Sequence, residues 1–129
     1  MRLVLILALL ATALPARAQM LASGTWTGTL TEGRTARPAT AAIDRCATGF
    51  SVAFTSGGRT VRTETAAYSR GRMTFELPGY RSSARSAART LRCATAIGRD
   101  GRMTGTCSGG QQPVRLVLAP PANGSLGCS

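Results

Sequence analysis

Histidine and lysine are both absent from the 129 residues, and the chain has only five acids: Glu32, Asp44, Glu64, Glu76 and Asp100. Without histidine there is no side chain that titrates near neutrality, and the commonest metal ligand is missing. Without lysine a Ser–Lys pair cannot be built, and no serine has a histidine to activate it. Five scattered acids do not make an oxygen-rich metal cage. Aromatic residues are only 5% of the chain, so the core must be small. GxSxG does not occur, and neither Gly57-Gly58 nor Gly109-Gly110 opens a helix as a phosphate loop would. No catalytic site, cofactor or metal is therefore expected.

The first 18 residues read as an export signal. Met1-Arg2 is a short positive start, Leu3 to Leu14 is an apolar run, and Pro15 breaks it before the small-x-small site Ala16-Arg17-Ala18. The run is shorter than the roughly 20 residues that cross a bilayer as a helix. No later stretch approaches that length, so no transmembrane segment is expected. The expectation is a signal peptide over 1–18, a single β-barrel domain over 19–129, and export to the periplasm or beyond.

Every basic residue is arginine, and the net charge is +11. Loss of Arg2 and Arg17 with the signal would leave +9. Such a balance suits acidic partners, in the cell envelope or on another protein. Nucleic acid is disfavoured because the chain is read as exported and lacks clustered aromatics on which bases could stack.

After Ser23, short alternating runs are broken by glycine every 8 to 15 residues, which predicts an all-β antiparallel meander. Eight strands are expected: Thr25–Thr31, Ala39–Asp44, Phe50–Phe54, Thr60–Tyr68, Arg72–Leu77, Leu91–Gly98, Arg102–Ser108 and Pro113–Ala119. A small closed or nearly closed barrel is the expected outcome, because closure removes exposed edges. The long connection from Pro78 to Arg89 has room for a short polar helix over Ser82–Arg89. Such a helix would put Arg81, Arg85 and Arg89 on one face as an anion-binding candidate.

The hairpin around Arg99-Asp100-Gly101 can be read in register. A three-residue loop with Gly101 left-handed pairs Gly98 with Arg102. Counting back places Cys93 directly opposite Cys107, at a non-hydrogen-bonded position with Cα atoms about 4.5 Å apart. A disulfide fits there, and an even number of cysteines in a small exported chain favours two. By elimination Cys46 is then expected to pair with Cys128.

Gly24-Thr25-Trp26-Thr27-Gly28-Thr29-Leu30, the meander, the Cys–Asp-Gly–Cys hairpin and the closing Val114–Leu118 strand together resemble the lipocalin-like (calycin) β-barrels. More narrowly, they resemble small exported bacterial proteins with a GxWxGxL first strand. The resemblance implies that Trp26 closes one barrel end with a last-strand arginine packed across it, a place that Arg115 matches. It also implies an interior that holds a small apolar or amphipathic ligand, with Trp26, Phe54, Phe75 and Arg115 as candidate contacts. The chain departs from the family in its length and in lacking a helix after the last strand.

Glu64 and Glu76 form the single candidate acid pair. A three-residue Ser69-Arg70-Gly71 loop would set them opposite each other, on a face shared with Arg62 and Arg72 that reads as solvent-facing. The residues expected inside are Trp26, Leu30, Phe50, Val52, Phe54, Val61, Met73, Phe75, Leu77, Leu91, Ile97, Met103, Val114, Leu116 and Leu118. Local gaps are expected at Gly28, Thr95 and Gly105. The function expected from this reading is non-catalytic binding of a small apolar or amphipathic ligand. The alternative is a protein-binding module, such as a hydrolase inhibitor or an envelope adaptor.

Overall fold

A computed structural model describes residues 21–46, 49–63, 65–83 and 85–122. The expected signal peptide, Glu64 and the Cys46–Cys128 pairing lie wholly or partly outside those residues. Among the described residues nine antiparallel strands form one sheet: β1 (Gly24–Glu32), β2 (Thr35–Cys46), β3 (Gly49–Ser56), β4 (Arg59–Thr63), β5 (Ala67–Ser69), β6 (Arg72–Tyr80), β7 (Arg89–Ile97), β8 (Met103–Ser108) and β9 (Val114–Ala119). Their order is β4-β3-β2-β1-β9-β8-β7-β6-β5. Two meander arms, β1–β4 and β5–β9, are thus joined where β1 pairs with β9, and the sheet curls into a half-barrel.

The alternation in the sequence sets the faces. In β1 the bulky Trp26 and Leu30 are buried while Thr25, Thr27 and Thr29 are exposed, the β-branched threonines suiting a pleated, half-solvated surface. Most residues expected inside are indeed buried. Val61 and Ile97 pack against the core partly exposed, and the side chain of Phe50 lies outside the described residues. Leu21, Ala39, Ala41, Ile43 and Tyr80 join the core as well. Phe54 and Phe75 meet in its middle at 6.3 Å between ring centroids.

The β7–β8 hairpin has the expected register. Cys93 faces Cys107 with Cα atoms 4.0 Å apart, and the two are disulfide-bonded. The Gly98 N–H donates to the Arg102 carbonyl at 2.8 Å, and Gly101 has φ 83°.

Four expectations are corrected. The single strand Thr60–Tyr68 is two strands, because the chain changes partners near position 64. Its first part, β4, pairs with β3, and its second part, β5, pairs with β6. The β5–β6 turn has two residues rather than three, Arg70 (φ 53°) and Gly71 (φ 78°), the mirror-image turn that matches strand twist. The resulting ladder, Ser69–Arg72 and Ala67–Thr74, is one residue away from the register that would set position 64 opposite Glu76. No helix occurs among the described residues of 81–88; a tight Ser83–Ser86 turn stands there, with the Ser86 N–H donating to the Ser83 carbonyl at 3.1 Å. Finally, Gly28 and Gly105 leave no gaps. A Cβ at Gly28 would lie 1.8 Å from the Val117 carbonyl oxygen, and one at Gly105 would lie 2.0 Å from that of Ala94. Neighbouring backbone fills both places, and the Thr95 hydroxyl is occupied in donating to the Met73 carbonyl at 2.9 Å.

β4 lies alongside the second half of β6 without pairing with it. The reason is local. On β6 the ladder to β7 shifts between Leu77 and Tyr80, across Pro78 and a left-handed Gly79 (φ 73°). Proline offers no N–H to a ladder, and a bulge bends the strand out of register. The half-barrel therefore keeps one unzipped seam. No helix among the described residues is long and apolar enough to cross a membrane.

Candidate functional site

The unzipped seam opens into a cavity of about 150 Å³. Its apolar wall is Phe54 from β3, Val61 from β4, and Leu77 and Tyr80 from β6. Arg37, Arg59 and Arg81 complete the lining with small residues, and no acid contributes to it. An apolar cavity of about this size holds a benzene-sized molecule. β6 supplies Leu77 and Tyr80 to the same wall because the bulge between them absorbs the offset that strict alternation would impose.

Beneath this cavity lies a buried carboxylate. Glu32 continues the inward series Trp26, Gly28, Leu30 and is 7% exposed. Its two oxygens accept from the Tyr80 hydroxyl at 2.9 Å and from the Ser82 hydroxyl at 2.6 Å. The Arg37 guanidinium donates to the Ser82 carbonyl. A buried charge persists only when hydrogen bonds replace its lost hydration, and bonds to a charged group contribute about 1.5–3 kcal/mol each. Burial pushes the Tyr80 phenol up to about 12, helped by its bond to Glu32 and by the Glu32 charge, and opposed by Arg37. The Tyr80 phenol therefore keeps its proton at neutral pH. The bonds to Glu32 fix Tyr80 as cavity wall and tie the start of the 81–88 connection to β1.

The expected site residues are distributed unevenly. Phe54 lines the cavity, and Phe75 packs on it from within the core. Trp26 is fully buried, its indole N–H donating to the Ala22 carbonyl at 2.9 Å. Arg115 is exposed on the outer face, opposite Thr31 and Thr106. It stands five positions along β1 from Trp26 and on the other side of the sheet, so the two do not close a barrel end together. Of the three arginines expected to share a face, Arg81 lines the cavity and donates to the Ser86 carbonyl at 2.9 Å. Arg85 is exposed in the connection, and Arg89 is exposed in β7 opposite Tyr80. Glu76 points outward beside Arg92, 3.8 Å away, on a solvated face.

Sequence reasoning missed Glu32, Arg37 and Tyr80. The signal for Glu32 was present, since it occupies the fourth place of an inward alternation that begins at Trp26. Tyr80 was hidden by Pro78-Gly79, which reads as the end of a strand. No group of His, Cys, Asp and Glu among the described residues is arranged to hold a metal ion. No family model, no curated protein sequence and no solved structure matches the chain.

Proposed function

We propose that this chain is an exported, non-catalytic β-barrel of lipocalin-like character that binds one small amphipathic molecule at the β4–β6 seam. The observation that carries the reading is the lining of the cavity: four apolar or aromatic walls and three arginines, with no acid. An apolar body of about benzene size would be held by burial, at about 25 cal/mol per Å². A negatively charged end would meet Arg37, Arg59 or Arg81, whose planar forks suit carboxylate and phosphate. Export is supported by the leader-like start and by the Cys93–Cys107 disulfide, a bond that persists in oxidising compartments.

The test is a titration followed by NMR, with benzoate and hexanoate as probes. Saturable shifts at the amides of Phe54, Val61, Leu77 and Tyr80 are expected, lost on Leu77→Trp, which fills the cavity. Absence of saturable shifts at millimolar probe, with the fold intact, would remove the reading.

A further inference from the structure

We infer that the outer face of β6–β9 is a docking surface for an anionic phospholipid bilayer, a role separate from the seam cavity. Arg72, Arg92 and Arg115 project outward from β6, β7 and β9, and Arg102 stands exposed just before β8. Two acids accompany them: Glu76, 3.8 Å from Arg92, and the exposed Asp100, whose carboxylate accepts from the Arg102 N–H at 3.0 Å. Beyond it the outer face of β1 carries threonines and no charge, while β2 and β4 carry the exposed Asp44 and Arg62.

The register gives the layout. Thr106 stands between Arg115 on β9 and Ala94 on β7, while Arg92 pairs with Ser108, and Arg72 pairs with Ala96. With strands about 4.8 Å apart and about 6.8 Å between alternate residues, Arg92 and Arg115 stand about 12 Å apart and Arg72 about 16 Å from Arg115. Small threonines and alanines fill the intervals, so the guanidinium groups are the tallest features of the face.

This arrangement has the charge of an interface without its anchors. Protein partners bind through large buried side chains at the centre of a patch, and nucleic acid through stacking aromatics; the strands here present neither. A field of separated arginines on a low, polar surface fits instead a target that is anionic everywhere and has no shape of its own. A layer of phospholipid phosphates is such a target. Each arginine near an anionic bilayer contributes about fivefold in affinity, and a surface more than a Debye length away, about 8 Å at physiological salt, contributes much less.

The experiment is co-sedimentation of the protein with phosphatidylglycerol–phosphatidylcholine vesicles and with pure phosphatidylcholine vesicles, at low and high salt. Two variants of equal net charge are compared: Arg72→Gln with Arg115→Gln on the face, and Arg59→Gln with Arg85→Gln, which lie outside β6–β9. Binding is expected on the anionic vesicles alone, abolished by high salt. The face pair should weaken it about 25-fold, and the other pair several-fold less. Equal losses in both pairs would show a response to net charge alone and overturn the inference. So would binding that survives high salt, or retention on polyglutamate with none on vesicles, which would point to an acidic protein.

Discussion

The two arms of the sheet meet at two junctions, and the junctions are built differently. At the first, β1 and β9 pair from Thr27–Ala119 through Glu32–Val114. Leu30, Leu116 and Leu118 are fully buried beneath that ladder, and Gly28 has no side chain to hold the Val117 backbone away. At the second, β4 and β6 run side by side unpaired, with Pro78 and left-handed Gly79 on the stretch that would have to supply the ladder. Alternating apolar side chains are present at both. What differs is whether the backbone is able to offer a regular row of donors and acceptors. Where it does, the barrel wall is continuous. Where proline and a bulge interrupt the row, closure is left to side chains, and the ligand-sized cavity lies there.

The largest expected effect comes from breaking the paired junction. Gly28→Val would bring its Cβ to within 1.8 Å of the Val117 oxygen, and backbone on the facing strand cannot move aside as a flexible side chain can. β1 and β9 must then separate, with a loss of about 4 kcal/mol or more, read as a lower urea midpoint or failure to fold. Next is Cys93→Ala with Cys107→Ala. Its closed loop, with a sequence separation of 14, stabilises the second arm by about 3 kcal/mol in the chain-entropy model. Chemical denaturation of the double variant against the parent measures it. A loss as large as that from Gly28→Val would show that the integrity of the second arm matters to the fold as much as the β1–β9 ladder does.

The same contrast explains what could be read from the sequence. The buried faces of β1 and β9 and the register of the β7–β8 hairpin were legible, because each follows from local rules applied to adjacent residues, whereas the pairing of β1 with β9 was not read and Gly28 was mistaken for a gap. Alternation placed Leu30, Leu116 and Leu118 inside, and one left-handed glycine fixed Cys93 opposite Cys107. The seam was not legible, because it depends on partners far apart in the chain. Nothing in Thr60–Tyr68 announces that its two halves pair with different strands, and Pro78-Gly79 marks a strand end as readily as a bulge. Arg70 misled the turn reading, since a left-handed arginine is uncommon and a three-residue loop avoids it. Arg115 was placed by resemblance, while the alternation Val114, Leu116, Leu118 already required it to face outward.

Between the junctions sits Glu32, at the end of β1, joined to Tyr80 on β6. Tyr80 titrates at about 12 in the folded chain against 10.0 ordinarily. The folded state thus keeps the phenol proton where the unfolded chain has lost it. This contribution is fully present below pH 10 and is lost as pH rises from 10 to 12, amounting to at most about 2.7 kcal/mol for two pKa units. Tyr80→Phe should flatten that part of the alkaline unfolding curve relative to the parent. Glu32→Gln removes the charge that opposes ionisation, so the phenolate absorbance of Tyr80 should appear closer to pH 10, with burial alone keeping it above that. An unchanged phenolate midpoint in Glu32→Gln would show that burial sets the shift and that Glu32 has a structural role only.

The smallest effect is expected at the open seam itself. Pro78 is exposed and outside any ladder to β4, so Pro78→Val removes no hydrogen bond and uncovers no apolar surface. Its new N–H is free to bond with water. The left-handed Gly79 remains, and with it the bulge that keeps β6 out of register with β4. Stability should therefore change by no more than about 0.5 kcal/mol, as for surface substitutions away from special features. Hydrogen exchange at the β4 amides that face the seam should stay fast. A gain in both stability and amide protection would mean that proline alone was holding the seam apart. In that case the variant would zip β4 to β6, and the benzoate-induced shifts at Val61 and Leu77 should disappear with the cavity.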